Sequence, residues 1–221
     1  MKTTTVKAKI TKALRRGMKG TKADIEGLIP KAYTAGKLYE AYVLALVCQK
    51  LKSHENCTLT LIGSTKITLK SSPGPINHSY PHIRVQRHGQ HFADIWTDIE
   101  FTSLSAAQSG KSPLTLGDYH EIDIAVLRPG ASGRPLPPDV FLAVECKNTG
   151  YQKSLLRETL GIRRELSLLQ SPAPTQFAVW PRVMVPASPP SCIAVYSSDS
   201  GVLNYNGPSS FFGIDFFHEP L

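Results

Sequence analysis

The chain has 221 residues, 41% of them hydrophobic and 19% charged, the make-up of one globular domain with a real core. That composition excludes disorder, collagen and coiled coil, and no run approaches the ~20 apolar residues that cross a bilayer. The formal net charge is +8, and it is unevenly placed: Lys2, Lys7, Lys9, Lys12, Arg15, Arg16, Lys19 and Lys22 precede the first acid, Asp24, and the remaining 17 basic residues balance 17 acidic ones. Residues 1–23 therefore read as a basic arm, and residues 24–221 as a single neutral domain. Such an arm, with Arg15 and Arg16 among its cations, attracts phosphate backbones by counterion release, or it serves only as a solvated tail. The opening stretch has no apolar segment, so no secretory signal is expected. Cys48, Cys57, Cys146 and Cys192 make no C-x-x-C pair and no zinc spacing, which points to a reducing, cytoplasmic setting.

In chain order, residues 36–52 read as a helix apolar almost all round, hence buried. CTLTLI and KITLK, on either side of Gly63-Ser64, read as a hairpin. Residues 71–91, rich in Pro, Gly and His, read as loop. HFADIWTDIEF alternates like a strand, with Ile95, Thr97, Ile99 and Phe101 on one face and Asp94, Trp96, Asp98 and Glu100 on a polar, half-exposed other. A Gly/Ser linker is expected at 105–113, a strand at 120–127, a turn-rich connector at 128–138 and a central strand at 139–147. An amphipathic helix is expected over 151–170, then short strands QFAVW and CIAVY. The order predicts an α/β fold with a central mixed sheet flanked by helices.

Period-two geometry gathers the chemistry. In 139–147, Glu145 and Lys147 share a face with Phe141 and Ala143, opposite Val144 and Cys146. In 120–127, Glu121 and Asp123 share a face. If the two strands pair, Asp123 stands beside Glu145 with Lys147 close by. Adjacent carboxylates repel unless a cation intervenes, and Mg²⁺ takes one or two carboxylates plus water and phosphate oxygens. Lys147, protonated, cannot be a ligand; it can hold a water or offset charge on a phosphate. Glu40, the one acid between Glu26 and Glu55, points with Val43, Leu44 and Val47 toward the body of the protein. A buried carboxylate needs a partner: the metal site, or else Lys37. On the helix at 151–170, Lys153, Arg157 and Arg164 share one face, a phosphate contact or a solvated stripe. His78, His82, His88 and His91 suit no zinc site.

A Glu on the first helix (Glu40), an Asp on a strand (Asp123 in HEIDIAV) and Glu-x-Lys on the next strand (Glu145-Cys146-Lys147 in VFLAVECKN), followed by a helix, resemble the PD-(D/E)XK nuclease superfamily over about residues 36–170. Ile122 stands where the family has proline. The resemblance implies the restriction-endonuclease-like core and Mg²⁺-dependent hydrolysis of phosphodiester bonds, with Mn²⁺ as substitute. Asp123 and Glu145 would hold the metal with the Cys146 carbonyl, Lys147 would position the attacking water, and Glu40 would bind a second ion or orient a water. The substrate implied is DNA, in a prokaryotic restriction or defence enzyme, and a homodimer is compatible with one site per chain. An RNase of the same fold and a non-catalytic nucleic-acid-binding module are the alternatives.

Overall fold

The computed structural model describes residues 8–12, 34–64, 69–70 and 72–220. Arg15 and Arg16 lie outside the described residues, as do most of the arm and most of KITLK. Of the arm, residues 8–12 are helical. Ile10 there is fully buried in the core, and Lys9 Nζ donates to the Pro220 carbonyl at 3.2 Å, so this stretch belongs to the body.

Helix α1 (Ala35–His54) starts where the Thr34 hydroxyl accepts the Lys37 amide. Nine of its side chains are buried, as an all-round apolar helix requires. The main sheet has seven strands: β1 (Cys57–Ile62), β2 (His82–Arg87), β3 (Gln90–Thr102), β4 (Tyr119–Leu127), β5 (Val140–Lys147), β8 (Cys192–Ser197) and β9 (Ile214–His218), in that spatial order. β1 to β5 run antiparallel in succession; β5, β8 and β9 are parallel. The crossover from β5 to β8 holds helix α3 (Lys153–Leu166) and a ribbon of β6 (Leu168–Pro174) with β7 (Met184–Ser188). Short helices α2 (Leu104–Ser109) and α4 (Asn206–Ser210) complete the fold. The architecture is thus α/β, a mixed central sheet flanked by helices. α1 packs on one face against Val85, Ile95, Ile124, Val126, Leu142 and Val144. Leu156, Ile162 and Leu166 of α3 pack on the other against Ala125, Leu127, Ala143 and Val195. Among the described residues no helix is long and apolar enough to cross a membrane.

Several elements differ from expectation, each for a local reason. The 71–91 stretch contains β2, which takes the hairpin place beside β1 expected of KITLK. Only Ile83 and Val85 of β2 face the core, so its polar face hides it in the sequence. His88 and Gly89, both with positive φ (53° and 78°), make the two-residue turn into β3. The 105–113 linker begins as α2, capped by the Ser103 hydroxyl and ended by Gly110 at φ 62°. The expected 151–170 helix stops at Leu166, and Leu169 is exposed on β6. QFAVW is not a strand; its amides bind the Glu55 carboxylate instead, and β7 forms further on.

Candidate active site

β4 and β5 pair through Ala125↔Ala143 and Ile124↔Val144. One step further the same register sets Asp123 opposite Glu145, and there the ladder gives way: the Cys146 amide donates to Asp123 Oδ2 at 2.7 Å. A carboxylate takes the place of a strand carbonyl, and both acids open into one cleft. That cleft, about 210 Å³, is lined by His120, Glu121, Asp123, Glu145 and Lys147 from the strands and by Glu158 and Ile162 from α3. Lys147 Nζ lies 3.1 Å from Glu145 Oε2 and 3.0 Å from Glu158 Oε1. The expected meeting of Asp123, Glu145 and Lys147 is therefore present.

Glu40 is placed differently. It does not line the cleft; its Oε2 accepts from Lys37 Nζ at 2.6 Å, one helical turn away. The same ammonium also binds Asp98 Oδ1. Asp98 was expected on a half-exposed polar face, yet its side chain is 1% exposed. The reason lies in the backbone. Asp98 has φ 51°, in the left-handed region that non-glycine residues rarely adopt. It flips the alternation of β3, so that Ile95 packs toward α1 while both Trp96 and Ile99 pack toward α3. The β3–β4 register passes from Thr97↔Ile124 to Ile99↔Ile122, with Asp98 and Asp123 between. Lys70 Nζ holds the Asp98 carbonyl at 3.0 Å, and Asp98 Oδ2 is buried without a hydrogen-bond partner among the described residues. Asp98 thus combines a costly backbone conformation with a buried, incompletely bonded carboxylate. The structure likewise buries Asp94, which receives His91 Nε2 at 2.9 Å, and pairs Glu100 with Arg134.

The acids are short of positive charge. Burial pushes the Glu145 carboxyl up, the Asp123 charge pushes it further, and Lys147 only partly opposes this. Burial also raises Asp123 against the Cys146 amide and Lys147. Glu40 is pushed up to about 7, first by burial, with the Asp98 and Asp123 charges adding and Lys37 opposing. Burial works against the Lys147 charge, but Glu145, Glu158 and Asp123 outweigh it and raise its pKa, so it stays an ammonium. The array would take up protons near neutrality or else admit a cation.

Hard oxygen donors of this kind fit Mg²⁺ or Mn²⁺. Among the described residues no group of three or more His, Cys, Asp or Glu side chains is set to hold a metal ion. Two carboxylates and a carbonyl form a smaller set, one that leaves most positions to water or substrate. On α3, Lys153, Arg157 and Arg164 are exposed, which fits a phosphate-contacting stripe and a solvated helix face alike. The sequence placed Asp98 on a polar strand face, as one of three acids there that could approach a metal, and missed Glu158. Asp98 carries no signal in a β-like run, since its φ is set by tertiary context. Glu158 reads as one acid within a basic stripe. No family model, no curated protein and no solved structure matches the chain.

Proposed function

We propose that this protein is a metal-dependent endonuclease of the PD-(D/E)XK type, with the restriction-endonuclease-like fold and DNA as its substrate. The observation that carries the reading is the cation-short pair of Asp123, half-buried, and Glu145, buried, beside Lys147 in an open cleft. The order of elements agrees: a helix bearing Glu40, the strands bearing Asp123 and Glu145-Cys146-Lys147, a helix, and a strand parallel to β5.

Asp123, Glu145 and the Cys146 carbonyl would hold Mg²⁺ or Mn²⁺, which supplies Lewis-acid stabilisation and an acidified water. The Cys146 amide fixes the Asp123 carboxylate by binding one of its oxygens. Lys147, aimed by Glu145 and Glu158, holds the attacking water by hydrogen bond and offsets charge growing on the phosphoryl oxygens. Glu158, half exposed, releases Lys147 toward substrate more readily than the buried Glu145 does. Lys153, Arg157 and Arg164 on α3 bind the flanking phosphates. A role in prokaryotic genome defence is the setting this chemistry suits.

The test is cleavage of DNA and RNA, assayed side by side, with Mg²⁺, with Mn²⁺ and with EDTA. Metal-dependent cleavage is expected, lost in Lys147→Ala and in Asp123→Ala while far-UV circular dichroism stays unchanged. Equal cleavage by both variants and the parent chain refutes the site. RNA cleavage alone turns the reading to an RNase.

A further inference from the structure

The acidic array divides into two parts with different neutralising groups. At one end Asp123 and Glu145 share the cleft with Lys147. At the other, Glu40 and Asp98 are bridged by a single ammonium, Lys37 Nζ. We infer that Lys37 is a built-in cation filling the Glu40–Asp98 end, so that the protein binds one divalent ion, at Asp123 and Glu145, and none between Glu40 and Asp98. This rests on the proposed function for the ion at Asp123 and Glu145.

Three observations converge. The first is charge. Lys37 Nζ binds Glu40 and Asp98, whereas Lys147 is shared between Glu145 and Glu158, and among the described residues no ammonium pairs with Asp123. The unmet negative charge therefore gathers at the cleft, which Glu121 also lines, and not between Glu40 and Asp98. The second is space. Nζ lies within hydrogen-bond distance of both carboxylates, in the place a bridging ion would need. The third is hydration. Mg²⁺ keeps several waters when it binds protein, but Asp98 is almost wholly buried, and its free oxygen, Oδ2, has no solvent contact. With Lys37 Nζ in the bridging position, a hydrated ion has no room beside it.

Lys37 is therefore a positioning residue. It holds Glu40 within electrostatic reach of Asp123, and the strained backbone at Asp98 anchors the other side of the bridge. The i, i+3 spacing of Lys37 and Glu40, fixed by the Thr34 cap, sets both on one side of the first turns of α1.

The experiment is a Mn²⁺ titration of the full chain by calorimetry, with free Mn²⁺ counted by electron paramagnetic resonance. Wild type is expected to bind one ion per chain. Lys37→Arg keeps a cation and is expected to bind one. Lys37→Met leaves Glu40 and Asp98 without a cation and is expected to bind two. Two ions on the wild type, or one on a folded Lys37→Met chain, overturn the inference. Should Lys37→Met be unfolded without metal, Mn²⁺ in excess is expected to restore its circular dichroism; a chain that stays unfolded with Mn²⁺ also overturns it. Wild type that binds no Mn²⁺ removes the proposed function itself, whereas wild type that binds two removes this inference alone.

Discussion

Replacing Asp123 by Asn should make the metal-free protein more stable while abolishing cleavage. Side chains opposite each other on antiparallel strands stand ~5 Å apart. Two unit charges at about 5 Å and an effective dielectric of about 20 repel by roughly 3 kcal/mol. Asn removes that repulsion from Glu145 and lowers the burial cost of a second charge. It keeps a carbonyl oxygen for the Cys146 amide, now 2.7 Å from Asp123 Oδ2. The lost attraction to Lys147 and Lys37 offsets part of the gain. The net expectation is about 1–2 kcal/mol of added stability at pH 8 in EDTA, as is common when a functional charge is removed. Urea unfolding followed by circular dichroism measures it, with equal m values required. The pH dependence carries the sign. Asp123, Glu145 and Glu40 all have carboxyl pKa values raised on folding. From about 4, the unfolded value, up to about 7 for Glu40 and beyond for Glu145, the folded state holds protons that the unfolded state has released. Wild-type stability therefore falls as pH rises through that window. The advantage of Asp123→Asn should be large at pH 8 and shrink at pH 5, where the array already holds protons. Added Mg²⁺ should stabilise wild type and not the variant. An Asp123→Asn chain destabilised at pH 8 in EDTA, or an advantage that does not change between pH 8 and pH 5, refutes the reasoning.

Glu55 gives the opposite pH sign. Its carboxylate, 0% exposed, accepts the amides of Ala178, Val179 and Trp180 at 2.6–2.8 Å and Arg87 Nη1 at 3.2 Å. Burial opposes its charge, yet these donors prevail and hold the carboxyl below its ordinary pKa. Glu55→Gln should cost about 3 kcal/mol at pH 7, about two charge-assisted hydrogen bonds. That contribution is present above the unfolded carboxyl pKa and lost as pH falls through the folded one, so urea midpoints of variant and parent should draw together as pH falls below the ordinary carboxyl range; coincident midpoints at pH 7 would remove the argument. On α3, Arg157→Ala and Arg164→Ala, made in the uncleaving Lys147→Ala background, should each flatten the plot of log binding constant against log salt by ~1. Unchanged slopes would show a solvated helix face.

The parts of the fold most legible in the sequence were its long apolar runs. α1 and β5 are buried on nearly every side, as is β4 from Ile124 to Leu127, and their sequences say so. From them the approach of Asp123 to Glu145 followed, because parity fixes which side chains share a face once two strands pair. β2 was invisible because His82, Arg84 and Gln86 give it the look of a loop, and because the His88-Gly89 turn uses a histidine where asparagine is usual. β6, with Pro172 and Pro174, carries residues that normally forbid a strand; it forms only as the edge of a two-stranded ribbon.

The candidate site was legible only where it obeyed regular geometry. Asp123, Glu145 and Lys147 lie on strands whose alternation holds as far as Ile124 and Val144, so their convergence could be read. Asp98 enters because β3 breaks its alternation there, and a single positive φ moves its carboxylate off the face of Asp94 and Trp96 to the α1 side, where Lys37 meets it. Local rules fail most where function demands a costly arrangement. Around Asp123 three such departures coincide: the Cys146 amide bound to a carboxylate, the reversed backbone at Asp98, and acids buried beyond the charge that Lys37 and Lys147 supply. Each alone has a structural explanation. Their coincidence beside Asp123 fits the proposed cation-binding centre, which requires the last of them.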